Sequence, residues 1–163
     1  MKKLEKKILS ILSDEGRLSV EDLAERLNAD SAEVSRCVKK LHDDKVILGY
    51  QAIVNPEKTG DEGVLSIIEV RVTPQRDMGF DSIARRIYKF PEVKTCYLMS
   101  GSYDLLVVLE GHSLRDVATF VAEKLSTLDQ VQSTTTHFLL RKYKEAGVIM
   151  NDDEELQRLV ISP

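Results

Sequence analysis

The stretch "CYLMSGSYDLLVVLEG", residues 96–111, contains two strongly apolar runs split by a polar insert, Ser100-Gly101-Ser102-Tyr103-Asp104. Short apolar runs bounded by Gly and Ser read as strands, and the insert as the turn of a hairpin. Its neighbours decide the sheet. Upstream, "VLSIIEVRV" (64–72) is a strand with Val64, Ile68, Val70 and Val72 on one face, followed by a helical stripe of Phe80, Ile83, Ala84 and Ile87 closed by Pro91. Downstream, Ser113 caps a helix in which Leu114, Val117, Val121, Leu125 and Leu128 share a face, and "VQSTTTHFLLRK" (131–142) is a Thr-rich strand. The order β-α-β-β-α-β is the ferredoxin-like unit. It packs both helices on one side of a four-stranded antiparallel sheet, so the other side needs a partner, and a second copy of the same chain is the economical one.

The first fifty residues follow a different logic. Apolar positions recur at helical spacing three times: Leu4, Ile8, Ile11 and Leu12; then Leu23, Ala24 and Leu27; then Val34, Val38 and Leu41. Ser19 with Asp22, and Asp30 with Glu33, are the capping pairs that start helices two and three. The "NAD" between those helices leaves room only for a tight turn, which makes a helix-turn-helix, and "VILGYQAIV" (46–54) after it is expected to supply a β wing. With Val34, Val38 and Leu41 turned inward, Arg36, Lys39 and Lys40 occupy the opposite face of helix three, with Ser35 at its edge. A basic face on the second helix of this motif fits the phosphates of double-stranded DNA, with polar side chains such as Ser31 and Ser35 near the base edges.

The expected class is therefore α+β: a winged helix-turn-helix DNA-binding domain over 1–50, a hinge strand and linker over 51–63 containing "NPEKTGDEG", a ferredoxin-like ligand-binding and dimerisation domain over 64–142, and a C-terminal extension over 143–163. Leu156, Leu159 and Val160 in that extension are read as a short docking helix. The net charge is −4, and residues 1–50 carry ten basic and ten acidic side chains, so the acidic excess lies in the remainder. The opening "MKKLEKKILSILSDEG" threads charges through its apolar positions, no apolar run is long enough to span a bilayer, and a cytoplasmic location is expected. Cys37 and Cys96 lie far apart with no Cys-x-x-Cys spacing or nearby His cluster, so no metal site or disulfide is expected and both read as small hydrophobes. His42, His112 and His137 are scattered without a neighbouring nucleophile, so neither catalytic residues nor a cofactor is expected.

Taken together, "LSVEDLAERLNADSAEVSRCVKKLHDDKVILGYQAIVNPEKTG" and "CYLMSGSYDLLVVLEG" resemble the Lrp/AsnC (leucine-responsive regulator, feast-famine) family of transcription factors, from about Leu4 to Lys142. The resemblance implies a DNA-binding regulator that dimerises, often assembles to tetramers or octamers, and binds a small molecule, usually an amino acid, between dimers near a Gly-x-x-Asp loop. Gly101 and Asp104 occupy that motif, which makes Ser100, Gly101, Ser102, Tyr103 and Asp104 effector-site candidates, with Thr134, Thr135 and Thr136 as polar lining from a neighbouring subunit. Gly101 is expected there for its access to positive φ and for close approach of the backbone to a ligand. The alternative for the threonines is β propensity alone. Two departures bear on DNA binding: Cys37 stands where the family usually has Arg, and Lys45 where it usually has a helix-ending Gly. These leave open a sensing or scaffold module of the same fold with weak DNA binding. A haem-pathway decarboxylase-like enzyme, which shares the two-part architecture, is the remote alternative.

Overall fold

The computed structural model describes residues 2–60, 63–73 and 79–150. The chain divides into two compact units, one of Met1–Val54 with the segment that begins at Lys144, the other of Asn55–Tyr143.

The first unit opens with α1 (Lys3–Asp14), α2 (Val20–Leu27) and α3 (Ser31–Asp43). The polar pairs start the helices as their spacing requires. The Ser19 hydroxyl accepts the Asp22 N–H at 3.0 Å and the Asp22 carboxylate accepts the Ser19 N–H at 3.1 Å, while Asp30 accepts the Glu33 N–H at 2.9 Å. Between α2 and α3, Asn28 takes the left-handed conformation at φ 47° and closes the tight turn. Ile8, Leu12, Leu23, Ala24, Val34 and Leu41 are buried together, with Cys37, Val38 and Ile47 packed at the rim. Burying such aliphatic side chains contributes on the order of 1.5–3 kcal/mol each, which holds three short helices that would not persist alone.

Residues 46–54, expected as a wing, have no ladder partner among the described residues, and Leu48, Tyr50 and Val54 are exposed. Alternation suits a strand, but a strand needs a second backbone to satisfy its N–H and C=O groups. The expected hinge strand in 51–63 is replaced in part by a single turn, α4 (Pro56–Thr59), with the Asn55 side chain accepting the Glu57 N–H and Pro at its start.

The second unit is a four-stranded antiparallel sheet of β1 (Val64–Val72), β2 (Val93–Leu98), β3 (Leu105–Gly111) and β4 (Val131–Phe138), in the order β2-β3-β1-β4. The helices are α5 (Asp81–Ile87) and α6 (Leu114–Phe120), the latter continuing into a π-helical turn over Val121–Leu125. This is the β-α-β-β-α-β order expected from the sequence. Strand parity sorts the side chains: Ile68, Val70, Val72, Leu105, Val107 and Leu109 are buried with Ile83, Ile87, Val117, Phe120, Leu125 and Leu128 of the helical layer. Leu114, expected on the buried stripe, is 57% exposed. The core contacts begin at Val117, and the wider π turn brings Leu125 and Leu128 back over the sheet. The opposite sheet face presents half-buried Leu65, Ile67, Leu106 and Val108 with exposed Tyr97. His137 on β4 lies 3.3 Å from Glu69 on β1 there.

After β4, which stops at Phe138 rather than running to 142, a small hairpin forms from β5 (Lys144–Glu145) and β6 (Val148–Ile149). The docking helix expected from Leu156, Leu159 and Val160 lies outside the described residues.

Candidate nucleic-acid interface and effector loop

On α3, Ser31, Ser35, Arg36, Lys39 and Lys40 are all exposed, opposite buried Val34 and Leu41. The face is real, but its positive charge is partly answered. The Arg36 Nε donates to the carbonyl of Ala32 at 3.1 Å, leaving the guanidinium on the surface. Lys39 Nζ lies 2.6 Å from Asp43 Oδ2, an exposed i,i+4 pair of the kind worth a few tenths of a kcal/mol, which a phosphate can displace. Lys40 differs, because its Nζ donates at 2.9 Å to Glu5, whose carboxylate is only 3% exposed. Nothing local in the sequence marks Glu5 as buried, since it sits between Leu4 and Ile8 at a position that the helical stripe leaves polar.

Cys37 lies half-buried at the edge of the core, where the helical phasing puts it, and makes no part of the exposed face. Lys45 takes φ 54°, the left-handed conformation that a glycine adopts cheaply. The chain keeps the turn regardless, with the Val46 and Ile47 N–H groups both donating to the Leu41 carbonyl. His42, at the end of α3, bonds the Tyr50 hydroxyl at 3.1 Å.

The 100–104 loop joins β2 to β3. Ser100, Gly101 and Ser102 are exposed, while Tyr103 and Asp104 are half-buried. Asp104 anchors the turn to the sheet: its Oδ2 accepts the Val72 N–H at 2.8 Å, its N–H donates to Val70 and its carbonyl accepts from Met99. The β1–β3 ladder ends at Val70 paired with Leu105, so the carboxylate occupies the next β1 donor on that side, which the ladder leaves over. Gly101 takes the positive φ expected of it, 159°, a conformation that L side chains rarely adopt, with open space where a Cβ would stand.

Thr134 pairs with Val70, which pairs with Leu105 on its other side, so Thr134 lies at the loop's end of the sheet, two strands from β3. Two strand spacings are about 10 Å. Thr136, opposite Ile68, shares the helix-side face with Thr134, and Thr135 points to the other face opposite Glu69. One chain therefore places the loop and the threonines at a shared end of the sheet without bringing them into contact. A cleft of about 380 Å³ lies elsewhere, at the far end of β3, between Glu92, Gly111, His112, Phe120 and Lys124. Glu92 bonds Lys124 there, and the Lys124 ammonium, 5.5 Å from the Phe90 ring centroid and 5.6 Å from that of Phe120, holds the Glu92 carboxyl below the usual carboxylate range.

Residues 65–149 match the model of the Lrp/AsnC ligand binding domain, and residues 1–47 match a winged helix-turn-helix DNA-binding model. The chain belongs to the Lrp/AsnC family. This Lrp/AsnC protein is 48% identical over 160 residues to an uncharacterized HTH-type transcriptional regulator, YugG, of Bacillus subtilis, covering 98% of this chain and 96% of that one. It is 30% identical to a proline dehydrogenase transcriptional activator of Rhizobium radiobacter, covering 87% and 90% respectively. Among solved structures, it is similar to a transcriptional regulator of Neisseria meningitidis in complex with L-Met, with a TM-score of 0.71, 27% identity and coverage of 93% and 97%. Escherichia coli AsnC shares the fold at a TM-score of 0.67 and 22% identity, with coverage of 93% and 99%. The protein is thus a transcriptional regulator that combines a DNA-binding helix-turn-helix with a ligand-binding domain. Among the described residues, no helix is long and apolar enough to cross a membrane.

Proposed function

We propose that this Lrp/AsnC regulator docks α3 in the major groove of double-stranded DNA and changes its assembly or DNA affinity when an amino acid binds at the 100–104 loop. The observation that carries the reading is the conjunction in one chain of an exposed polar and basic face on α3 with a turn whose Asp104 is fixed to the sheet while Gly101 stays open. In this reading Ser31 and Ser35 read base edges, and Arg36 and Lys39 contact phosphates. The similar Neisseria meningitidis regulator holds L-Met, and a relative in Rhizobium meliloti is named a leucine-responsive regulatory protein, both in keeping with an amino-acid effector. A homodimer through the Leu65, Ile67, Leu106 and Val108 sheet face would present two copies of α3 with two-fold symmetry. In a tetramer or octamer, contacts between such dimers would bring Thr134 and Thr136 of one subunit to the loop of a neighbour.

A second reading is a sensing module with weak DNA affinity, favoured by the carboxylates that answer Lys39 and Lys40. Titrating the protein into its own upstream DNA across a salt series, with and without each amino acid, separates the two. Regulation requires a salt-dependent affinity that one amino acid alters. Replacing Arg36 and Lys39 by alanine should flatten the log-log salt slope by about 0.9 for each phosphate that is no longer neutralised. Unchanged affinity and slope in that variant would remove α3 as the DNA-facing element.

A further inference from the structure

We propose that Lys40 is a positioning residue and not a phosphate contact: with Glu5 it forms a clamp that fixes α3 against the first turn of α1. This rests on the reading of α3 as the DNA-facing helix. The sequence puts Lys40 on the basic side of α3, but its side chain runs along the flank toward α1. There Lys40 Nζ meets Glu5 Oε1 at 2.9 Å, while Asp44 Oδ2, one turn further along α3, stands 3.9 Å away. The other Glu5 oxygen accepts the Lys2 N–H at 2.6 Å, so one buried carboxylate closes the start of α1 and receives the last turn of α3.

A carboxylate that is 3% exposed has little water to stabilise it, and losing its ammonium partner leaves an uncompensated charge. A phosphate recruiting Lys40 would therefore have to strand Glu5, whereas one recruiting Lys39 displaces only the exposed Asp43. The two adjacent lysines thus have different duties. Lys39 is free to exchange its partner, and Lys40 holds the angle at which the exposed face of α3 is offered.

The test compares Lys40→Met, Glu5→Gln, the double variant, Lys40→Arg and Lys39→Met in the full chain, using thermal midpoints and DNA affinity over a salt series well below all midpoints. A clamp predicts that Lys40→Met and Glu5→Gln each lower affinity by about tenfold at unchanged salt slope. The double variant should be no worse than either single one, and Lys40→Arg should restore both affinity and midpoint. Lys39→Met should flatten the slope by about 0.9 at an unchanged midpoint. If Lys40→Met flattens the slope while Glu5→Gln binds like the parent, Lys40 is a phosphate contact and the proposal is overturned. If the parent binds no DNA at any salt, the reading of α3 fails by itself. The clamp is then judged by the midpoints alone: non-additive losses from Glu5→Gln and Lys40→Met uphold it, and additive losses sink it.

Discussion

Asp104→Ala should weaken the second unit before it says anything about ligand. The Val72 N–H is donated to Asp104 Oδ2 at 2.8 Å, and Val72 itself is 4% exposed in the row that closes the core. Removing the acceptor leaves a largely desolvated donor unpaired, a loss of about 1–3 kcal/mol. For a unit of this size each kcal/mol moves the midpoint by roughly 4–8 °C, so a mid-range loss of about 2 kcal/mol corresponds to about 8–16 °C. Asp104→Asn keeps an acceptor oxygen at the same place and should recover much of that drop. Differential scanning calorimetry of the parent and both variants, followed by titration with each amino acid in turn, makes the comparison. An Asp104→Ala midpoint within about 1 °C of the parent would refute the bond's structural role. Loss of ligand response counts as evidence for a ligand contact only if Asp104→Asn, folded like the parent, also loses it.

If the protein dimerises through its half-buried sheet face as proposed, Ile67→Glu at the centre of that face should give a folded monomer in sedimentation velocity, because an unpaired charge is costly in an apolar interface. Lys45→Gly removes a side chain from φ 54° and should raise the first unit's midpoint by about 2–4 °C after allowing for glycine's greater freedom when unfolded, with DNA affinity unchanged. Lys40 and the Lys2 N–H hold the Glu5 carboxyl below its ordinary range, so its contribution is fully present above about pH 4.5 and is lost as pH falls through the lowered folded value. Thermal midpoints of the parent should therefore fall more steeply than those of Glu5→Gln between about pH 5 and 3, and parallel curves would show that Glu5 is not the group responsible.

The features legible in the sequence are those with a short period. Caps three residues apart at Ser19, Asp30 and Ser113 each formed, and strand alternation assigned Ile68, Val70 and Val72 to the core as found. Helical phasing put Ser35, Arg36, Lys39 and Lys40 outside correctly, because it needs only the angle between successive side chains. Contacts across the fold stayed hidden. Nothing local pairs Glu5 with Lys40, which is 35 positions away, and nothing in "SGSYD" announces that its carboxylate serves a backbone donor on β1. The expected wing strand, residues 46–54, forms no ladder among the described residues for a related reason: it has strand composition, but composition does not supply the second backbone that a ladder requires. Leu114 stays exposed because it is the first residue of its helix, directly after the Ser113 cap and one turn before Val117 reaches the core.

The change of winding at Val121 bears on how this helix tolerates altered length. Within an ordinary helix, deleting one residue turns every later side chain by about 100° and takes a buried stripe off its seat. The turn over Val121–Leu125 already contains more chain than an α-turn uses, and it ends in the Ser126 N–H reaching back to the Val121 carbonyl at 2.8 Å. Shortening that turn by one residue on its outer side, Ala122 or Glu123, would tighten it to regular winding and leave Leu125 and Leu128 over the sheet. The segment acts as slack in the register, so a change in chain length at this point can be absorbed before it reaches β4 and its threonines.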